Sequence, residues 1–252
     1  MSKFLTRVCV TLLFTVVSVF AVADGHAPRM DALELVSFNL KKGKDMDDVF
    51  KHAAEMDKWI ASNMYAGYMA WVMVPDTVSM QDYPMDFFWL GVAKDNATMG
   101  KNRDVWWQKG AKMQKKFDAI ASFEGRRTVT SMTLKPLSDK PGNAVMTIWS
   151  CEYKDGQGFA EVAAGDKAML DYMDKVGMPG GLVRWFPGAG GPKSDTADFR
   201  NVFVSASDEE RGQASDLMLA GGQQALQQAY GNTVECDQPR VWRAFHVVGK
   251  SF

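Results

Sequence analysis

The pattern of apolar and polar positions changes period along the chain. Short apolar or alternating runs bounded by Gly, Pro and Asp predict strands, and apolar residues at steps of three and four predict helices. Residues 33–40 (LELVSFNL) are the first strand-like run. Met46, Val49, Ala53, Met56 and Ile60 then recur at helical steps behind Asp45, Asp47 and Asp48, acids suited to a helix N-terminus. Strands follow at 67–74 and 86–93, a second helix at 98–120 and a fourth strand at 127–134. The order then starts again. Strand 144–153 leads to a helix marked by Phe159, Val162, Met169 and Met173, whose stripe is interrupted by Asp166. Strands at 180–186 and 198–205, a helix at 207–229 and a strand at 240–248 complete it.

The return is also visible residue by residue. SFNLKKGKDMDDV (37–49) and SCEYKDGQGFAEV (150–162) match at Ser37/Ser150, Lys41/Lys154, Gly43/Gly156 and Val49/Val162. Trp71 with Trp185, Asp86-Phe87 with Asp198-Phe199, Gly110 with Gly222 and Arg127 with Arg240 extend the correspondence. A fixed internal period signals duplicated architecture. Each half reads β-α-β-β-α-β, the ferredoxin-like order, over 33–134 and 144–252. The intervening 135–143 (KPLSDKPGN) is a linker.

Composition adds a compartment. Lys3 and Arg7 precede an apolar run from Val8 to Phe20, and Ala21-Val22-Ala23 has the small-x-small form of a cleavage site. Residues 1–23 therefore read as a signal peptide, with 24–32 as a leader, and the protein is expected to be periplasmic or secreted. Cleavage leaves 27 basic against 30 acidic residues, a net charge of −3. This gives no electrostatic footprint for nucleic acid or an anionic membrane, and neither is expected as a partner after cleavage. No later run is long enough to span a membrane.

Cleavage also removes Cys9 and leaves Cys151 and Cys236. In a ferredoxin-like sheet, strand 1 lies beside strand 4, which brings these two together as a disulfide. The first half provides an internal control, since Phe38 and Phe123 occupy the matching positions. The expectation is a disulfide in one half and an aromatic pair in the other.

Two such units in one chain resemble the dimeric α+β barrel superfamily. That resemblance rests on element order over nearly all the mature chain. It implies an α+β fold with two four-stranded sheets enclosing a central space and helices outside, formed here within one chain, so that a monomer suffices. It also implies that one half can keep a site while the other becomes structural.

Alternation then suggests what lines the enclosed space. Leu33, Leu35, Phe88, Leu90, Val92, Met146 and Ile148 suit the helix side. Val36, Phe38, Phe87, Trp89, Gly91, Trp149, Cys151, Phe199, Asn201 and Phe203 then face inward, with Trp242 from the last strand. Phe87, Trp89, Trp149, Phe199, Phe203 and Trp242 are the expected ligand-binding residues, with Asn201, Arg184 and His246 or Arg243 as polar groups. Such a lining suits a small apolar or aromatic ligand, although aromatic side chains also fill small barrels outright.

No nucleophile motif, metal set or cofactor motif is present. His52 and Glu55 share a helix face without a third ligand, and 188–194 (GAGGPKS) joins two strands and lacks the phosphate-loop order. Haem-binding superfamily members use a histidine, but no motif here supports one, and no cofactor is expected. Three readings remain: a ligand-binding protein, an enzyme like the superfamily's cofactor-free monooxygenases with His246, Asn201, Arg243 and Trp242 as first suspects, or an interaction protein with a filled barrel.

Overall fold

A computed structural model describes residues 29–136 and 142–249. The expected signal peptide, most of the expected leader and the centre of the expected linker lie outside the described residues. The first half runs β1 (Met30–Leu40), α1 (Met46–Asn63), β2 (Tyr68–Thr77), β3 (Phe87–Ala93), α2 (Asn96–Lys109), α3 (Ala111–Asp118) and β4 (Ala121–Lys135). The second runs β5 (Ala144–Tyr153), α4 (Phe159–Lys175), β6 (Gly181–Pro187), β7 (Phe199–Ser205), α5 (Asp208–Leu217), α6 (Gln223–Tyr230), β8 (Val234–Cys236) and β9 (Arg240–Val248).

All strands pair antiparallel in the order β7-β6-β4-β1-β3-β2-β9-β5, and β5 pairs with β7 to close the barrel. The first half contributes β4-β1-β3-β2 and the second β9-β5-β7-β6. They join where β2 meets β9 and β4 meets β6. The short β8 extends the β9 position along β5. The long helix expected at the end of each half is broken in two. In the first half the break is at Gly110, where a Cβ would lie 2.6 Å from the Trp106 carbonyl oxygen. In the second it is a wide turn at Met218–Gly222, with Gly221 at φ 140°.

The matched turns have a structural cause. Gly43 and Gly156 take φ of 77° and 75°, where a side chain would be strained. Lys41 Nζ donates to the Asp118 carbonyl and Lys154 Nζ to the Gly231 carbonyl, at the ends of α3 and α6. Each lysine thus satisfies a carbonyl that a helix end leaves open. Asp86 accepts from Leu40 N–H at 2.6 Å and Asp198 from Tyr153 N–H at 2.7 Å, which ties strand 3 to strand 1 in each half.

Cys151 opposes Cys236 in the β5–β8 ladder and forms a disulfide with it. Phe38 opposes Phe123 in the β1–β4 ladder, their ring centroids 6.2 Å apart. Closing a loop across a separation of 85 residues contributes about 4.6 kcal/mol by the loop-entropy relation.

On the first and third strands of each half the expected faces are inverted, whereas Trp242 of β9 lies inside the barrel as expected. Leu33, Phe88, Leu90, Met146 and Ile148 point into the barrel, where they pack with Met73, Val129, Val183, Trp185, Val202, Trp242 and Ala244. Val36, Phe38, Phe87 and Trp89 pack under the helices of the first half, and Cys151, Phe199, Trp149 and Phe203 under those of the second. Both faces of these strands are apolar, so alternation alone cannot orient them, and a shift of one residue exchanges the sets. One sequence match also slips. Trp185 pairs with Arg200 and Met73 with Phe88, so Met73 is the counterpart of Trp185, and Trp71 matches Val183.

Candidate functional site

Between the first-half sheet and helices α1 to α3 lies a pocket of about 70 Å³. Its floor is Glu34, Val36 and Phe38 of β1, Tyr68 of β2 and Trp89 of β3. Met56 and Ile60 of α1, Met99 and Trp106 of α2, and Phe117 of α3 form its walls. Trp107 lies at its mouth, 73% exposed. The lining is aromatic and thioether-rich, and it suits flat apolar ligands.

One end is polar. Gly91 opposes Glu34 across the β1–β3 ladder. A Cβ on Gly91 would fall 2.3 Å from Tyr68 Oη and 2.9 Å from Glu34 Cγ. The missing side chain is thus what lets Tyr68 lie across β3 to reach Glu34. Tyr68 Oη donates to Glu34 Oε1 at 3.0 Å, and Trp89 Nε1 donates to Tyr68 Oη at 3.0 Å. Burial, reinforced by the Glu34 charge, pushes the Tyr68 hydroxyl far above its ordinary range, so it stays a donor. Arg126 Nε lies 3.3 Å from Glu34 Oε2 without the alignment of a hydrogen bond. Glu34 Oε2 and Arg126 Nε are therefore buried without a hydrogen-bond partner. At this end of the pocket a buried carboxylate oxygen has the Arg126 guanidinium as its ion-pair partner and no aligned donor.

The surroundings hold this geometry. Asn102 is 2% exposed, and its Oδ1 accepts from Tyr65 N–H at 2.7 Å, fixing the approach to β2 against α2. Trp106 meets Trp59 edge to face at 5.4 Å. Phe117 packs on Phe38 at 4.8 Å, and His52 stacks on its ring at 5.2 Å.

His52 is buried and its Nε2 has no partner. Burial lowers its pKa below the ordinary 6.5; Glu55 opposes this and Lys116 adds to it. The unfolded chain therefore takes up a proton near pH 6.5 that the folded chain refuses. This contribution to stability is complete above that pH and is lost as pH falls toward the folded-state pKa. His52→Phe is expected to flatten that part of a melting-temperature profile against pH.

The second half fills the corresponding layer differently. Arg184, fully buried, donates from both terminal nitrogens to Asp166 at 2.8 and 2.7 Å and from Nε to Asn201 Oδ1 at 3.0 Å. Tyr230 Oη donates to Asp166 Oδ1 at 2.7 Å, and Arg184 stacks 4.5 Å over Phe199. By register and helix position, the first-half counterparts are Val72 for Arg184, Ala53 for Asp166, Trp89 for Asn201 and Phe117 for Tyr230. The same layer is a bonded polar plug in one half and an apolar pocket wall in the other.

The expected site residues do not converge. Trp89 alone of the six expected ligand-binding residues lines the pocket. Phe87 is buried beneath it, stacked on Phe38 at 5.3 Å. Trp149, Phe199 and Phe203 belong to the second-half core, and Trp242 lies inside the barrel between Tyr83 and Phe88. Asn201 is bound to Arg184. Arg243 is on the outer surface, paired with Asp76 and Asp208. His246 rests 5.0 Å from Trp71 with Nε2 unpartnered. His52 and His246 are both absent from the pocket lining, so it offers no histidine to ligate a haem. Among the described residues no three His, Cys, Asp or Glu side chains form a metal cluster.

Glu34, Tyr68, Arg126, Trp106 and Trp107 escaped the sequence reading. The available signal was Glu34 itself, an acid inside an apolar strand.

No family model matches the sequence, and no curated protein matches it. Solved structures do. A provisionally assigned monooxygenase from Lactobacillus acidophilus superposes with a TM-score of 0.52 at 12% identity, covering 88% of this chain and 96% of its own. Another from Fusobacterium nucleatum subsp. nucleatum gives 0.53 at 6% identity, covering 88% and 94%. At these identities the likeness shows architecture alone, and the architecture is that of the dimeric α+β barrel proteins.

Proposed function

We propose that this chain binds a small, largely apolar aromatic molecule bearing one hydrogen-bond donor, in the pocket between the first-half sheet and α1 to α3. The observation that carries the reading is Glu34, buried at the end of a largely aromatic and aliphatic pocket, its Oε2 ion-paired with Arg126 at 3.3 Å but without an aligned hydrogen bond; Asn102, Arg103 and Gln114 add polar groups to the lining. A ligand O–H or N–H there replaces the missing bond, and the rings of Trp89, Trp106 and Phe117 take the apolar body. A pocket of about 70 Å³ holds roughly five waters, so a bicyclic ligand requires the exposed Trp107 to swing outward. The chain is read as a tandem pair of ferredoxin-like units in which the first kept a site and the second closed its own with Asp166 and Arg184. The N-terminal apolar run supports a reading outside the cytoplasm.

Thermal-shift titration with naphthalene, 2-naphthol and indole tests this. The donor-bearing compounds are expected to raise the melting temperature more than naphthalene, and Glu34→Gln to weaken 2-naphthol binding by about tenfold. Equal shifts with all three, unaffected by Glu34→Gln, would remove the assignment.

A second reading is favoured by the monooxygenase descriptions of the structural neighbours. A carboxylate beside a bound phenol can accept its proton, the first need of an oxygenation that uses no cofactor. Oxygen uptake with a quinol that is abolished in Glu34→Gln supports that reading. Binding without uptake limits the chain to a ligand carrier.

A further inference from the structure

The helix pair that walls the pocket differs in charge from its second-half counterpart. Across α2 and α3, six cations (Lys101, Arg103, Lys109, Lys112, Lys115 and Lys116) face two acids, Asp104 and Asp118. Across α5 and α6, one cation, Arg211, faces four acids, Asp208, Glu209, Glu210 and Asp216. The near-neutral balance of the whole chain conceals this difference. Lys116 is held by Glu55 at 2.5 Å, while among the described residues the other five cations of α2 and α3 form no ion pair.

Two exposed aromatic residues lie at these helices, Trp107 on α2 and Tyr65 in the turn before β2, while Phe123 on β4 and Phe159 on α4 are exposed elsewhere. Trp107 is 73% exposed at the pocket mouth, and Tyr65, 55% exposed, lies under the Lys101 ammonium at 5.7 Å. An exposed indole on a helix pair rich in Lys and Arg suits an anionic bilayer surface, where indole and phenol rings fit the headgroup layer. No helix among the described residues is long and apolar enough to cross a membrane, so the contact would be peripheral. Leu219 is as exposed as Trp107, but it lies beside the acidic α5, which an anionic surface repels.

We propose that α2 and α3 dock this protein on an anionic bilayer surface. Trp107 lies in the headgroup layer and the pocket mouth opens toward the lipid, so an apolar ligand can pass between bilayer and pocket without crossing water. Charge complementarity selects the surface, since each basic residue at an anionic membrane is worth about fivefold in partition. The exposed indole and adjoining apolar pocket favour a bilayer over an acidic protein, which would give Trp107 no apolar medium.

The test is co-sedimentation of the ligand-free protein with vesicles of phosphatidylcholine, with and without roughly one-third phosphatidylglycerol. Binding to the anionic vesicles alone, weakened by added salt, is expected. Lys101→Glu/Lys115→Glu should bind at least about tenfold less tightly, and Trp107→Ala should also bind less tightly, both with unchanged circular dichroism. No binding to anionic vesicles at low salt, or binding that survives both variants, overturns the proposal. Binding to polyglutamate but not to vesicles assigns the face to an acidic protein and also overturns it. Because no ligand is added, a negative result leaves the pocket reading intact.

Discussion

Asp166→Ala is expected to destabilise the folded chain by about 3–5 kcal/mol. Arg184 is fully buried, and the Asp166 carboxylate accepts from both of its terminal nitrogens. Removing the carboxylate strands a guanidinium with no water to replace the lost bonds, and it also removes the acceptor of Tyr230 Oη. The penalty comes from the orphaned charge rather than from a large net contribution of the pair. Asp166→Leu combined with Arg184→Met, which roughly keeps the volume, should therefore recover most of the loss. The first half shows such a layer built without charge, from Ala53, Val72 and Phe117. Urea denaturation of the two variants separates these cases; equal destabilisation in both would show that the network contributes chiefly through its attraction.

Gly91→Ala is expected to cost about thirtyfold or more in ligand affinity, the range of an interface hot spot, although the residue touches no ligand. The added carbon would meet Tyr68 Oη at 2.3 Å, so Tyr68 must leave Glu34. That breaks the Trp89–Tyr68–Glu34 chain and lets the tyrosine ring swing toward the pocket. Crowding of this kind also costs about 1–3 kcal/mol of stability. Gly100→Ala, on the exposed face of α2 with open space around it, is the matched control and should bind as the parent does. Titration calorimetry with 2-naphthol reads both.

The two results bear on how far the sequence alone could lead. The order of elements was legible because helix and strand periods differ. The disulfide was legible because one residue type, Phe, stands at both matching positions of the first half, and the ladders pair Phe38 with Phe123 as they pair Cys151 with Cys236. Lys41 and Lys154 stood out as a match, and their bonds to helix-end carbonyls explain it. The faces were not legible. β3 reads FFWLGVA, apolar on both sides, and only the tertiary register decides that Phe88 and Leu90 enter the barrel while Phe87 and Trp89 meet the helices. The pocket's polar end was hidden for another reason. Glu34, Tyr68, Gly91 and Arg126 come from four strands, and no local spacing relates them. Asp166 was visible only as an interruption of a helical stripe; its meaning required Arg184, 18 residues away on β6.

The measurement that bears most directly on the location of the site is a crystal structure of the protein saturated with 2-naphthol. The account predicts ligand density between Trp89, Met56 and Trp106, with its oxygen within hydrogen-bond distance of Glu34 Oε2, about 2.5–3.0 Å. Density inside the barrel against Trp185 and Trp242, or beside Arg184 in the second half, or an unchanged first-half pocket at saturation, would contradict it.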